Sequence, residues 1–191
     1  EGARISQGMR GTTGAIEKVL FEDRLHLHVV GNVAPAGLCG SALIDLAAVL
    51  LQHGVLSVEG RLPTPESLPS TVPDDLRQRV INRGRETAFV LAETSETAIG
   101  RPILVTQRDF RELQLASGAI RAGTEILLKR AGLRPDQLGR VLIGGGFGNF
   151  IRRSNAQRIG LLPTSIPHKR IRYQGNTSLA GARLAALSRT A

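Results

Sequence analysis

The first regular pattern along the chain is an alternation of apolar and polar residues. It runs through AIEKVLF (Ala15–Phe21) and LHLHVVG (residues 25–31), with a polar turn at residues 22–24 between them. A period of two puts one strand face against a core, and two such runs joined by a short polar turn predict an antiparallel hairpin. ETAFVLA (Glu86–Ala92) and PILVT (residues 102–106) are predicted as further short strands.

The segment GLCGSALIDLAAVLLQHG (residues 37–54) has the length and composition of a helix. Ser41 is a natural N-cap and Gly54 a natural residue just beyond the C-terminus. Between them the residues are apolar nearly all round, which predicts burial on most sides of the helix.

A longer helix is predicted over QRDFRELQLASGAIRAGTEILLKRAG (residues 107–132). Thr106 and Asp109 have the spacing of a capping box at its start. Its apolar residues predict one continuous buried face: Phe110, Leu113, Ala116, Ile120, Leu127 and Ala131. Gly118 and Gly123 each cost about 1 kcal/mol relative to alanine inside a helix, so we expect close packing or a ligand at that face.

Proline interrupts the pattern between the two helices. RLPTPESLPSTVPDD (residues 61–75) carries four prolines and is predicted to hold no regular element, so residues 61–85 are interpreted as a loop or insertion within a single lobe that spans residues 1–191.

The last part of the chain alternates strands and helices. A strand is predicted over RVLIGG (residues 140–145), a short helix near residues 154–159, a strand over residues 170–174 and a terminal helix over residues 178–188. This order favours an α/β fold with a mixed, partly parallel sheet flanked by helices.

Composition narrows the class of protein. The chain has 191 residues, of which 41% are hydrophobic and 21% charged, and no apolar run approaches the roughly 20 residues that span a bilayer. The opening EGARISQGMR lacks the apolar core of a secretory signal, so we expect a cytoplasmic protein without membrane contact. Cys39 is the single cysteine, which excludes an internal disulfide and an all-cysteine metal site and favours a buried thiol.

The net charge of +9 is unevenly distributed. No Asp or Glu occurs from residue 137 to the end, where nine basic residues lie, so this segment carries the whole excess. Such a field attracts phosphates or an acidic partner; a solvated surface is the alternative. Aromatic residues make up 3% of the chain, too few for base stacking, so no nucleic acid is expected as a partner.

The glycine-rich stretch RVLIGGGFGNFI (residues 140–151) is the strongest candidate for ligand contact. A dinucleotide fingerprint fails because Asn149 occupies the third glycine position and no carboxylate follows. A P-loop fails because no lysine follows a glycine. Glycines at the end of a strand would let a flat ring approach the backbone, with amides free for its oxygens; a tight turn between two packed elements is the alternative.

Two further glycine clusters precede helices. Gly37, Gly40 and Ser41 could hold an anion at the start of the first helix, although a compact turn into that helix is favoured. Gly175 and Asn176 precede the terminal helix, where Thr177 or Ser178 would be the N-cap.

Metal ligands are sparse. His26 and His28 alternate on one strand without a third ligand nearby, and no metal site is predicted. Asp45 is the nearest carboxylate in the context of a motif, and it is interpreted as a carboxylate that faces the N-terminal dipole of its helix.

The motifs GLCGSALID, FRELQLASGAI, LIGGGFGNFI with RIGLLP, and QGNTSLAGA occur in the order found in one family. Together they resemble the actin-like ATPase (ASKHA) domain of reductive activators of corrinoid proteins, and the match covers nearly the whole chain. The resemblance implies an actin-like, ribonuclease H-like lobe.

In that family ATP is coupled to delivery of a low-potential electron that restores Co(I) in a corrinoid protein of a methyltransferase system. The glycine stretch would line the nucleotide, through Gly144, Gly145, Gly146, Phe147, Gly148 and Asn149. Gly37, Gly40, Ser41, Gly175 and Asn176 would contact phosphate or the other lobe.

The resemblance also implies what this chain lacks. The acidic D-x-G-T motifs for phosphate and magnesium, and the iron–sulfur cluster, would lie outside it, so the catalytic residues are unknown and this chain alone would be inactive. The family often has lysine at the position of Ser117 and an acid at that of Arg152. A small-molecule kinase lobe, a non-catalytic interaction module with a basic face, and a homodimer remain open.

Overall fold

The computed structural model describes residues 4–145 and 151–188. The elements, in chain order, are β1 (Ala15–Phe21), β2 (Leu25–Val29), β3 (Gly37–Leu38), α1 (Gly40–Gln52), α2 (Asp74–Gln78), β4 (Val80–Arg83), β5 (Glu86–Ala92), β6 (Ile103–Thr106), α3 (Gln107–Arg130), β7 (Val141–Ile143), α4 (Arg153–Arg158), β8 (Ile171–Tyr173) and α5 (Thr177–Leu187). Among these residues no helix is both long and apolar enough to cross a membrane.

The strands form three small sheets. The first has the order β2-β1-β3, with β1 antiparallel to β2 and parallel to β3. The second is antiparallel in the order β4-β5-β6, and the third pairs β7 with β8 in parallel. The predicted hairpin of β1 and β2 and the mixed, partly parallel α/β organisation are confirmed.

Helix α1 lies at the centre of the main core. Every residue from Ser41 to Leu50 is buried, and Leu43, Leu46 and Leu50 pack in one cluster with residues of all three strands of the first sheet and with β5 and β6. The predicted burial on most sides is confirmed. Gly54 has φ +71°, as expected for a glycine that ends a helix.

The predicted N-cap of α1 is wrong. The helix begins at Gly40 with Cys39 as the capping residue, which makes no side-chain cap bond. The Ser41 hydroxyl donates instead to the carbonyl of Glu17 at 2.8 Å, because β1 lies close enough to supply an acceptor. Cys39 is a buried thiol, as predicted.

Part of the segment 61–85, predicted as a loop or insertion, is regular structure. Between residues 61 and 73 it holds one 3₁₀ turn at Pro65–Ser67, and α2 and β4 follow before residue 85. Pro73 is the last of the four prolines in residues 61–75, and it is the N-cap of α2. At the start of a helix the missing N–H of proline costs no hydrogen bond, because no carbonyl of that helix is available to accept from it. The chain is therefore free to form hydrogen-bonded elements after it.

The capping box of α3 is present: the Thr106 hydroxyl accepts from the Asp109 amide, and the Asp109 carboxylate accepts from the Thr106 amide at 2.8 Å. The continuous buried face is wrong. Phe110 is buried, but Ile120 is 55% exposed and Leu127 is 68% exposed. A Cβ at Gly118 or Gly123 would meet nothing within 4 Å among the described residues, so neither glycine serves close packing there.

Near the C-terminus the order strand, short helix, strand, helix is confirmed by β7, α4, β8 and α5. The N-cap of α5 is Asn176, not Thr177 or Ser178: its Oδ1 accepts from the Leu179 amide at 3.0 Å. Gly175, with φ +66°, sets the turn one residue earlier than the pattern alone suggested.

Candidate functional site

A cleft of about 900 Å³ lies between α1, α3 and the end of β7. Most of its walls are apolar and come from these elements and from the segment around α4, as in Leu43, Ile44, Leu113, Ile143, Ile151 and Leu162. We call this space the apolar cleft. A pocket of this size with mainly apolar walls suits a ring system with few polar groups.

The predicted glycine stretch reaches this cleft. Gly144 lines it directly, and Gly40 at the start of α1 lines it too. Gly146, Phe147, Gly148 and Asn149 lie outside the described residues.

Gly144 and Gly145 need glycine for different reasons. A Cβ on Gly144 would overlap the Thr177 hydroxyl at the start of α5, so this position is bare because two parts of the protein approach closely. Gly145 has φ +109°, and a Cβ there would meet no atom of the described residues within 4 Å. Of the two positions, Gly145 is therefore the one where the backbone conformation, and not a described neighbour, disfavours an L side chain.

The Gly145 amide is not free for a ligand, contrary to the expectation of unpaired amides in this stretch. It donates to the Gly175 carbonyl at 2.7 Å. This bond joins the glycine-rich stretch to the cluster of Gly175 and Asn176, next to the parallel pair of β7 and β8. The Asn176 side chain is occupied by its capping bond.

The second glycine cluster is divided. Gly37 is buried in β3, where a Cβ would lie 2.7 Å from the Gln7 carbonyl and 3.0 Å from the Met9 sulfur. The Ser41 hydroxyl is engaged with Glu17. The structure thus places only Gly40 of this cluster at the cleft.

The chain directly after residues 146–150 is held by several contacts. The Tyr173 hydroxyl donates to the Ile151 carbonyl, and burial raises the pKa of that phenol above its ordinary 10.0, which keeps the proton on the donor. Arg152 Nε donates to Asp45 Oδ1 at 3.0 Å, and its Nη2 donates to the Val19 carbonyl. The chain that follows the glycine stretch is therefore tied to the core through Asp45 and Val19.

Asp45 is a structural carboxylate rather than one that faces the helix dipole. It lies beyond the first turn of α1, is completely buried, and accepts from Val19, Arg152 and Asn155. The interpretation as a dipole carboxylate is wrong because the fold places the cation of Arg152 beside it. Position alone could not reveal that pairing.

Two charged residues at the cleft, Arg4 and Glu112, were not singled out by sequence reasoning. Arg4 and Glu112 face each other with Nη1 and Oε2 3.8 Å apart, and both line the apolar cleft. Ser117, predicted to be a departure from the family pattern, is buried and also lines it. The i,i+4 spacing of Glu112 and Ala116 on α3 is a sequence signal that could have identified this wall of the cleft.

Among residues 4–145 and 151–188, no three His, Cys, Asp or Glu side chains come together as a metal site.

Comparison with known proteins identifies related proteins over the full length of the chain. The model for the family described as "C-terminal domain of RACo the ASKHA domain" matches residues 1–191. Corrinoid activation enzyme RamQ of Eubacterium limosum is 37% identical over 99% of this chain, which spans 32% of RamQ. A second relative, the "[Co(II) methylated amine-specific corrinoid protein] reductase" of Methanosarcina barkeri, is 35% identical over 44% of the chain, or 15% of its own length.

A solved structure has the same fold. The "Reductive activator for corrinoid,iron-sulfur protein" superposes with a TM-score of 0.82 at 36% identity, over 100% of this chain and 29% of its own. The predicted fold class, an actin-like lobe with sheets flanked by helices, is confirmed. The chain spans about a third or less of the length of each of these relatives.

Proposed function

From the premise that this chain belongs to the family of C-terminal ASKHA domains of RACo, we propose that it is the nucleotide-binding lobe of an ATP-dependent reductive activator. The activator would restore Co(I) in a corrinoid protein of a methyltransferase system. Two relatives whose names describe activation or reduction of corrinoid proteins, and a third that is a reductive activator, support this proposal.

One observation carries the nucleotide part: the apolar cleft ends at Gly144, next to a bare backbone at Gly145. A purine ring has two apolar faces and polar edges, so it can fill such a cleft while its edges reach the few polar groups at the rim. Gly145 would let the ring or its ribose come within contact distance of the main chain. Gly40, on the opposite wall, is the candidate for a phosphate contact.

The hydrogen bonds on either side of the glycine stretch would favour nucleotide binding, because they hold the backbone before the nucleotide arrives. Gly145 is held by Gly175, and Ile151 is held by Tyr173. Because these anchors exist before a ligand arrives, less conformational entropy would be lost on binding.

The described residues of this chain fit neither magnesium nor an iron–sulfur cluster well. Magnesium at a nucleotide is usually held by one or two carboxylates together with waters and phosphate oxygens, and the one carboxylate that lines the apolar cleft among the described residues, Glu112, faces Arg4 instead. An iron–sulfur cluster needs four ligands, typically thiolates, and Cys39 is the single cysteine. We therefore place both groups outside this chain, and this chain would supply the nucleotide site alone.

The test uses the complete protein. Isothermal titration with ATP and with ADP should show one site, and a Co(II) corrinoid substrate with an electron donor should lose its Co(II) absorption only when ATP is present. Absence of binding at millimolar nucleotide would overturn the proposal. Binding with phosphoryl transfer to a small molecule, and no change in cobalt, would favour a kinase.

A further inference from the structure

A second cavity, of about 740 Å³, lies on the other side of Ile151 from the apolar cleft. Its cationic and imidazole side chains come from separate parts of the chain: Lys18, His28, Arg152, Arg153 and His168. No carboxylate lines it among the described residues. We call this cavity the basic groove.

Arg153 is the best-placed cation in the groove. Its Nε donates to the Ile171 carbonyl at 3.1 Å, and its guanidinium carbon lies 4.8 Å from the centre of the Tyr173 ring. These contacts fix the side chain without neutralising it, and no carboxylate pairs with it within the described ranges. Arg153 therefore brings a charge to the lining of the groove that no described carboxylate neutralises.

The neighbouring cations differ in whether a carboxylate neutralises their charge. Arg152 is paired with Asp45, so it adds little net charge. Lys18 is exposed on β1 and has no carboxylate within 4 Å in the part of the chain that the structure describes. Lys18 and Arg153 therefore carry the excess, from a strand and a helix on two sides of the groove.

The floor of the groove indicates which class of anion fits. Leu20, Ile151 and Tyr173 contribute apolar surface between the cations. An inorganic phosphate needs donors that converge on one centre and gains nothing from such a floor. A single-stranded nucleic acid would stack its bases on open aromatic faces, but Arg153 lies over one face of Tyr173, the one Phe, Tyr or Trp that lines the groove among the described residues.

We propose that the basic groove is a docking site for an acidic protein segment in which carboxylates alternate with apolar side chains. Carboxylates would pair with Lys18 and Arg153, and the apolar side chains would cover Leu20 and Tyr173, which are partly exposed. Complementary charge would raise the rate of encounter, and burial of the apolar side chains would slow dissociation. The site does not depend on nucleotide binding.

The experiment measures binding of a fluorescent peptide of alternating glutamate and leucine to the complete protein by anisotropy. The double variant Lys18→Gln/Arg153→Gln should weaken binding at least tenfold. The matched control Lys129→Gln/Arg183→Gln removes the same charges from exposed positions outside the groove and should change affinity less than twofold. Circular dichroism and nucleotide titration of each variant separate loss of the groove from loss of the fold or of the proposed nucleotide site.

Because Arg153 also bonds to Ile171, a second variant keeps the test independent of folding. Lys18→Glu alters only an exposed strand residue and should weaken the peptide at least fivefold. Equal losses in the groove and control variants would overturn the proposal, since attraction would then come from net charge alone. Displacement of the peptide by inorganic phosphate or by an oligonucleotide at lower concentration than by unlabelled peptide would also overturn it.

Discussion

Arg152 and Asp45 form a two-point ion pair across 107 residues of sequence, with Nε 3.0 Å from Oδ1 and Nη2 3.0 Å from Oδ2. Asp45 lies on the buried face of α1, whereas Arg152 is the second residue after the undescribed part of the glycine stretch. The pair fixes where the chain leaves that stretch. Arg152 lines the basic groove, and the adjacent Ile151 lines both that groove and the apolar cleft.

Replacement of Asp45 by Asn should destabilise this region strongly. Removal of one partner of a buried pair leaves the other without compensation, and because Arg152 can still reach solvent we expect a loss of about 2–4 kcal/mol. Hydrogen exchange of α1 and α4 amides in the complete protein measures it.

The control for this substitution is Asp136→Asn, which breaks the exposed pair with Arg134 and should cost less than about 1 kcal/mol. A double variant Asp45→Asn/Arg152→Gln should lose less than the sum of the two single losses. Additive losses would show that the two side chains do not act as a pair.

Gly145→Ala should reduce affinity for ATP at least tenfold while the fold persists. An alanine at φ +109° is strained, so the backbone would rotate toward negative φ and carry the glycine stretch with it. Isothermal titration measures the affinity. Gly139→Ala is the matched control, since its φ is not in the left-handed region and its Cβ would meet nothing within 4 Å. Equal affinities for all three proteins would remove Gly145 from the site.

Ala116→Phe should block the apolar cleft. Ala116 is an exposed residue of α3 that lines the cleft, so the added ring fills the ligand space without entering the core. We expect ATP affinity to fall at least tenfold. Ala119→Phe places the same ring on an exposed part of α3 outside the cleft lining and should leave ATP affinity within twofold. Full affinity in the Ala116 variant would locate the nucleotide elsewhere.

Acid should destabilise the protein partly through His53. Burial, and secondarily the charge of Arg158, lower the pKa of this imidazole below 6.5 in the folded state. The unfolded chain therefore binds the proton more readily, so the contribution to stability is complete above pH 6.5 and is lost as pH falls through that value and then through the lower folded pKa. The His53 ring contacts Phe21 edge to face, with 4.6 Å between the ring centres.

The measurement is the free energy of unfolding between pH 8 and pH 5 for the wild type and His53→Gln. At pH 8 the variant should be less stable than the wild type, because the substitution removes the ring contact with Phe21. Its stability should fall less on acidification. Parallel pH profiles would show that His53 does not contribute to the acid response.

Local patterns in the sequence determined most of the individual elements. The alternation in β1 and β2, the apolar run of α1 and the Thr106–Asp109 capping box each involve residues within a few positions of one another. Period, capping and left-handed glycines such as Gly54 are decided by interactions of that range, so they can be inferred without a structure. The charge excess after residue 136 was equally visible in the sequence.

The tertiary structure alone decided which of these features meet. Asp45 is a partner of Arg152 because α1 and α4 pack together, and the Gly145 amide is occupied because β7 and β8 end side by side. The regular apolar spacing of α3 did not predict that Ile120 and Leu127 would be exposed. A pattern shows which face could be covered, whereas burial depends on whether another element is placed there. The same reason separates Gly144, where a Cβ would overlap Thr177, from Gly145, where a Cβ would meet no atom of the described residues.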